Sequence, residues 1–292
     1  MAGLFNSFYY GKAGKADYTP ENLPANRVQL FFETLRVRFS GLVGMNLLYA
    51  IFALPAIAWT GFNLAAMNVE GADALSFIPV YLLGMIPCLM ITALATPGFA
   101  YVFRNWARDQ HAFTMSDFKD AVKGNWKPAL LTGAINGVSL YLTYVSYVFY
   151  GSLSAQSLFW VVPQMFVIIA CSLWWMANML IFPMMVTYDM KLKQLVRNSF
   201  IITLARLPWS ILFWAAPIAV PVAIVFLPYS VVILAVLYLV IGFSLTMYAQ
   251  VSYANACFDR FLNPRIEGAP VNLGLRDPDY DEDDEDETPP ES

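Results

Sequence analysis

The segment ARDQHAFTMSDFKDAVKGNWK, residues 107–127, holds the densest set of reactive side chains in the sequence. His111, the only histidine, stands two residues after Asp109 and ahead of Asp117 and Asp120. An imidazole near a carboxylate is the smallest unit of general acid–base catalysis. The usual company of such a pair is missing: there is no nucleophile elbow, no H-E-x-x-H, no phosphate-cradling glycine loop and no second His or Cys cluster. The expectation is a chain that is not an enzyme, with His111 a solvated loop residue. A docking surface is the better use of the segment, and Arg104, Arg108, His111, Phe113, Phe118 and Lys123 are the residues a partner would meet.

Cys88, Cys171 and Cys257 lie far apart in apolar stretches with no C-x-x-C spacing, so they read as small packed side chains rather than as a disulfide or metal site. No metal or cofactor is expected. Absence of a Walker motif argues against ATP binding. The basic residues sit beside apolar runs and not on a separate basic face, which argues against nucleic acid.

The remaining polar chemistry is uncharged. Asn46, Thr92, Thr96, Asn136, Asn178 and Gln250 interrupt long apolar runs, and two readings of them stand open. They can bond helix to helix, at about 0.6 kcal/mol each, or they can line a polar vestibule. Trp174 and Trp175 fall in the middle of an apolar run, away from the interfacial depth that tryptophan favours. Packing between helices accounts for them; with Asn178 one turn further on, they would also suit a sugar-like or lipid-like ligand.

The elements that must position these groups follow from where charge is excluded. Of 292 residues, 59% are apolar and 13% charged, against about a quarter charged in soluble chains. No Asp, Glu, Lys, Arg or His occurs between Phe39 and Val69, Ser76 and Phe103, Pro128 and Tyr188, or Leu207 and Phe258. A helix needs roughly 20 apolar residues to cross the hydrocarbon layer. The first two blocks therefore hold one span each and the longer two hold pairs. Backbone polar groups in lipid must bond internally, and unalternating apolar runs exclude a barrel. The expectation is an all-α, polytopic bundle of six spans near residues 40–60, 77–103, 128–150, 158–187, 207–227 and 229–257, grouped as three helical hairpins. "GSLSAQS" and Pro228 divide the paired blocks, and the tightness of the second turn leaves a single kinked segment as the alternative there.

Every one of the 17 Lys and Arg residues falls on one side of this topology, while the longest loop of the other side carries only Glu70 and Asp73. Basic residues accumulate in short cytoplasmic loops, so both termini are expected in the cytoplasm. The first 39 residues are too polar for a signal-peptide core, and no cleavage is expected.

Each outward span is preceded by one register: an apolar residue, another four on, a base five on, an aromatic eight on. The three instances are Phe31, Leu35, Arg36, Phe39; Phe118, Val122, Lys123, Trp126; and Leu192, Val196, Arg197, Phe200. Offsets of four and eight share a helical stripe, which predicts an interfacial helix before spans 1, 3 and 5. Pro55, Pro79, Pro87, Pro97, Pro163, Pro183, Pro217 and Pro221 predict kinked spans. The chain then divides into a cytosolic arm with its interfacial helix (1–39), a transmembrane domain (40–262) and an acidic tail (263–292). The tail's DPDYDEDDEDETPPES holds ten of the 21 acidic residues; self-repulsion predicts disorder there.

"GLFNSFYY" at the start, "NLLYAIFALP" in the first span, "RNWARDQHAFTMSDFKDAVKGNWKPAL" around the second loop and "KLKQLVRNSF" after the fourth span resemble the YesL family of bacterial integral membrane proteins. The resemblance covers nearly everything before the acidic tail and is most specific in the second loop. It implies a multi-pass protein of the bacterial plasma membrane and an accessory role beside a carbohydrate ABC transporter. A scaffold or accessory subunit is therefore the leading expectation, and a small carrier or channel for a neutral solute the alternative. An intramembrane enzyme is disfavoured. The resemblance supplies no catalytic residues, and the acidic tail departs from it.

Overall fold

The computed structural model describes residues 23–69, 73–226 and 236–276. The acidic run from Asp277 onward, the basic residues Lys12 and Lys15, the loop residue Glu70 and the break expected at Pro228 lie outside those residues. Among the described residues the protein is helical, with no strand. In chain order the helices are α1 (Arg27–Val37), α2 (Phe39–Met67), α3 (Ala74–Trp106), α4 (Thr114–Ser154), α5 (Val161–Met185), α6 (Leu192–Ala205), α7 (Leu207–Phe226) and α8 (Phe243–Phe261).

Helices α2, α3 and α4, together with α5 and the short 3-10 turn before it, are long and apolar enough to cross a membrane. The pair α6 and α7, bent by 103°, passes the same test only when taken together. Four to five spans are thus supported where the sequence predicted six. The deficit lies at the C-terminal end, where part of the sixth predicted span falls outside the described residues and the rest is a π-helical turn, Tyr238–Gly242, followed by the comparatively polar α8.

Two of the three predicted interfacial helices are separate elements. Asn26 starts α1 by accepting from the backbone N–H groups of Val28 and Gln29, two of the orphan donors of a helix start. The helix stops at Arg38, whose φ/ψ of −107°/23° turns the chain into α2. At the start of α6 the Gln194 side chain accepts from Lys191 N–H at 2.9 Å, and Arg206 (φ −126°, ψ 39°) makes the sharp corner into α7. The third predicted interfacial helix is not separate. Thr114–Ser154 is one helix of 41 residues running through Pro128. Packing accounts for the difference, because Phe118 and Ala121 are buried on the same side as Ala129, Gly133 and Gly137. One continuous helix can therefore lie against α3, and this is the most extensive helix pairing among the described residues. It joins the second and third predicted spans, across the boundary between the first two predicted hairpins.

The threefold register is a packing register. Phe31, Leu35, Val122, Leu192 and Val196 pack against the buried core and Phe118 lies within it, while Arg36, Lys123 and Arg197 are all exposed. Thr34, Ala121 and Leu195, three residues after the first apolar member, are buried in each unit. The first two apolar members of the stripe thus face protein and the base beside them faces out, whereas the aromatics at offset eight, Phe39 and Trp126, are exposed.

The densest packing lies at the end of the bundle that carries the basic residues. Phe31 stacks on Tyr248 with centroids 5.0 Å apart, Phe103 packs edge-on to Tyr248, and Phe99 meets Phe118 at 5.0 Å. Toward the other end, Leu54, Phe62, Leu64, Val148, Phe149 and Phe159 are exposed, as side chains facing lipid would be.

Residues 263–276, which the sequence grouped with the tail, form a strap across the basic end. Tyr188 donates its hydroxyl to Asn263 Oδ1 at 2.6 Å, and Asn263 Nδ2 donates to Asp259 Oδ1 at 2.7 Å. The Arg276 N–H donates to the Pro24 carbonyl at 3.0 Å, so both ends of the described chain meet at one point. Gly274, at φ +82°, lets the strap lie on the second loop; a Cβ there would stand 2.5 Å from the Arg108 carbonyl oxygen.

Candidate functional site

A cavity of about 230 Å³ opens between α2, α3, α4, α5, α7 and α8, with polar walls formed by Thr92, Thr96, Asn136, Trp175, Asn178 and Gln250. It has room for roughly eight waters at liquid density. Close approach of α3 and α4 builds one wall. A Cβ at Gly133 would fall 2.6 Å from Ala93 Cβ, and one at Gly137 would fall 2.7 Å from Ile86 Cα. This G-x-x-x-G spacing lets two membrane helices touch backbone to backbone. The spacing is legible in the sequence as GAING, residues 133–137. Asn136 lies between the two glycines and lines the same cavity as Thr92 and Thr96.

The structure brings together five of the six uncharged polar residues that the sequence singled out: Thr92, Thr96, Asn136, Asn178 and Gln250. Asn46 is elsewhere. Fully buried, it donates through Nδ2 to the Leu239 carbonyl and accepts at 2.9 Å from the Ser244 N–H. These contacts satisfy backbone groups where the chain takes a π-helical turn at Tyr238–Gly242, a geometry that departs from the usual i→i−4 pattern. The two tryptophans divide the work. Trp174 donates its Nε1–H to Asn136 Oδ1 at 3.0 Å and so orients that amide, while Trp175 lines the cavity itself. Tyr49, Phe182 and Trp214, not foreseen from the sequence, supply further aromatic surface; they come from spans far apart in the chain, and no local pattern marks them.

The polar groups are only partly used. Thr92 and Thr96 donate their hydroxyls to carbonyls one turn back, those of Cys88 and Thr92, both at 3.0 Å, which leaves oxygen lone pairs. Asn178 Oδ1 and Trp175 Nε1 are buried and have no partner among the described residues, and Asn178 is only 8% exposed. An unmatched buried donor or acceptor costs about 1–3 kcal/mol. Neither atom has accessible surface of its own in the cavity, whose wall among the described residues presents amide and hydroxyl groups and no Asp, Glu, Lys, Arg or His. A charged guest would lose its hydration with nothing to replace it. An uncharged guest with both hydrogen-bonding senses, and a carbon face to lie on aromatic rings, would not.

The predicted docking residues separate into two groups. His111, Phe113 and Lys123 are exposed, with the His111 ring edge-on to Phe113 at 4.8 Å. Phe118 is buried against Phe99 and Phe52 and is no part of that surface. Arg104 turns inward, donating to the Val186 carbonyl at 2.8 Å and lying over the Tyr101 ring. Arg108 is half-buried; burial pulls its guanidinium below the usual arginine range, and Asp259 acts against that pull. Burial likewise pushes the Tyr188 hydroxyl up to about 12, with nearby Arg108 opposing. The three cysteines are free thiols, and among the described residues no group of His, Cys, Asp or Glu is arranged to hold a metal.

Residues 42–147 match a family described as "Protein of unknown function, DUF624". The matched stretch takes in Asn46, Thr92, Thr96, Asn136 and the second loop, while Trp175, Asn178 and Gln250 lie beyond it. Comparison with curated proteins and with solved structures gave no match.

Proposed function

We propose that this chain is a multi-pass protein of the bacterial plasma membrane, with both termini in the cytoplasm, that serves carbohydrate uptake as an accessory subunit and holds a small uncharged solute in its polar cavity. The observation that carries the solute is the convergence of Thr92, Thr96, Asn136, Asn178 and Gln250 on one cavity whose described wall holds no charged side chain. The sorting of all Lys and Arg to one side supports the orientation. Resemblance to the YesL family supports the carbohydrate link and a carbohydrate ABC transporter as partner. The exposed segment at His111 and Phe113, standing on the packed end of the bundle, is the surface such a partner would read.

A carrier acting alone is the second reading. Pro87, Pro97 and Pro183 stand near the cavity residues within α3 and α5, where they provide bending points.

Titration of simple sugars and polyols into the protein in lipid nanodiscs, followed by tryptophan fluorescence, tests the solute reading. At least one should bind saturably, and Asn136→Leu and Asn178→Leu should each abolish binding. Absence of any binding, or binding indifferent to both changes, would overturn it. Purification in mild detergent then separates the roles: a retained membrane partner supports the accessory, whereas solute uptake by liposomes holding this protein alone supports the carrier.

A further inference from the structure

The polar cavity has an apolar neighbour. A groove of about 490 Å³ runs beside it, lined by Ala53, Ala56, Ile57, Gly61, Leu64 and Phe243. Tyr49, Leu89 and Thr92 line both spaces, so the polar compartment and the hydrocarbon one adjoin along these residues. Thr60, also on the groove, donates its hydroxyl to the Ala56 carbonyl at 2.7 Å and adds little free polarity. Ile57 and Leu64 are exposed at 44% and 54%, which opens the groove sideways from the bundle toward the membrane.

We infer that the ligand of this site is an amphiphile, with an uncharged polyhydroxylated headgroup in the cavity and a hydrocarbon chain in the groove. This rests on the solute reading above and names the class of solute. A free sugar would use the cavity and leave the groove to lipid. An amphiphile uses both and can enter laterally, without crossing water. Among the described residues neither space is lined by a cation or an anion, so phosphate and ammonium headgroups find no counter-charge there. The hydroxyls of a sugar head match the amide and hydroxyl side chains of Asn136, Gln250, Thr92 and Thr96 on the cavity wall, and its carbon face matches the rings of Tyr49, Trp214 and Phe182.

An alkyl glucoside with a diazirine in its chain tests this on the full-length protein in nanodiscs. An alkyl phosphocholine with the same diazirine chain is the control, and free methyl glucoside the competitor. Irradiation should label residues 53–64, methyl glucoside should suppress the labelling, and the phosphocholine probe should label at least tenfold less. Gly61→Phe supplies the decisive variant. A Cβ at Gly61 meets no atom within 4 Å, so the ring can occupy the groove without displacing the cavity wall. It should cut labelling at least tenfold while methyl glucoside binding, read by fluorescence, stays within twofold of wild type. Equal labelling by both probes, or full labelling of Gly61→Phe, overturns the inference. Should methyl glucoside bind while the alkyl glucoside leaves residues 53–64 unlabelled, the amphiphile falls and the solute reading stands. Should neither bind, both fall.

Discussion

Breaking the ion pair between Arg27 and Asp259 should loosen the whole basic end, and its size can be worked from the contacts. Arg27 is the first residue of α1 and Asp259 lies near the end of α8; their side chains are 19% and 9% exposed. Losing one member of a fully buried pair costs about 3–5 kcal/mol, because a charge is left without its partner. Arg27 keeps two other acceptors, the carbonyls of Ala107 at 3.0 Å and Leu273 at 3.4 Å, and retains some contact with solvent. The cost of Asp259→Ala should therefore fall to about 2–3 kcal/mol. Asp259 also faces the half-buried Arg108 and accepts from Asn263. Its removal should then cost more than Arg27→Ala, by about 1 kcal/mol. Unfolding in mixed micelles of wild type, both single variants and the double variant measures the coupling, expected at about 1.5–3 kcal/mol. A coupling below about 0.5 kcal/mol, or equal costs for the two single changes, would refute the view that one carboxylate anchors α1, the second loop and the strap together.

Other predictions follow from single contacts. Gly137→Val should push α3 and α4 apart at Ile86, costing about 1–3 kcal/mol as overpacking; crosslinking between cysteines placed on the two helices should fall with it. Asn46→Leu strands the Leu239 carbonyl and the Ser244 N–H, and at about 1–3 kcal/mol per buried group the melting temperature should drop clearly without loss of membrane insertion. Tyr188→Phe removes the donor to Asn263. Because the folded state holds the Tyr188 hydroxyl neutral up to about 12, its contribution is complete below the ordinary tyrosine value near 10 and fades as pH rises from there through about 12. The stability gap between wild type and Tyr188→Phe should stay constant from pH 6 to 9 and narrow above 10, as read by differential scanning fluorimetry; narrowing on the acid side would contradict the assignment.

Much of this was legible because a bilayer imposes simple rules. Long runs without charge marked α2 to α5, the helices long and apolar enough to cross a membrane. Thr92, Thr96, Asn136, Asn178 and Gln250 could be picked out because polar side chains are rare in such runs, yet their convergence depends on helix rotation, which composition does not encode. The Gly133 and Gly137 spacing held part of that information. The continuity of α4 was not legible: Gly124, Pro128 and the charges before them read as a break, and only the line of Phe118, Ala121 and Ala129 against α3 overrides it. Asn46 fitted the polar set by type but serves the backbone of the π-helical turn, a geometry with no local sequence mark. The strap looked like tail because its stabilising contacts, to Tyr188, Arg27 and Pro24, come from remote parts of the chain.

The central claim is that an uncharged solute occupies the cavity at Asn178. Saturable binding of a neutral sugar or alkyl glycoside to the protein in nanodiscs, measured side by side with Asn178→Leu, tests it most directly. The account predicts binding to wild type, loss of at least tenfold in the variant at unchanged fold stability, and no binding of a charged analogue of the same size. Equal binding by wild type and Asn178→Leu, or preference for the charged analogue, would contradict it.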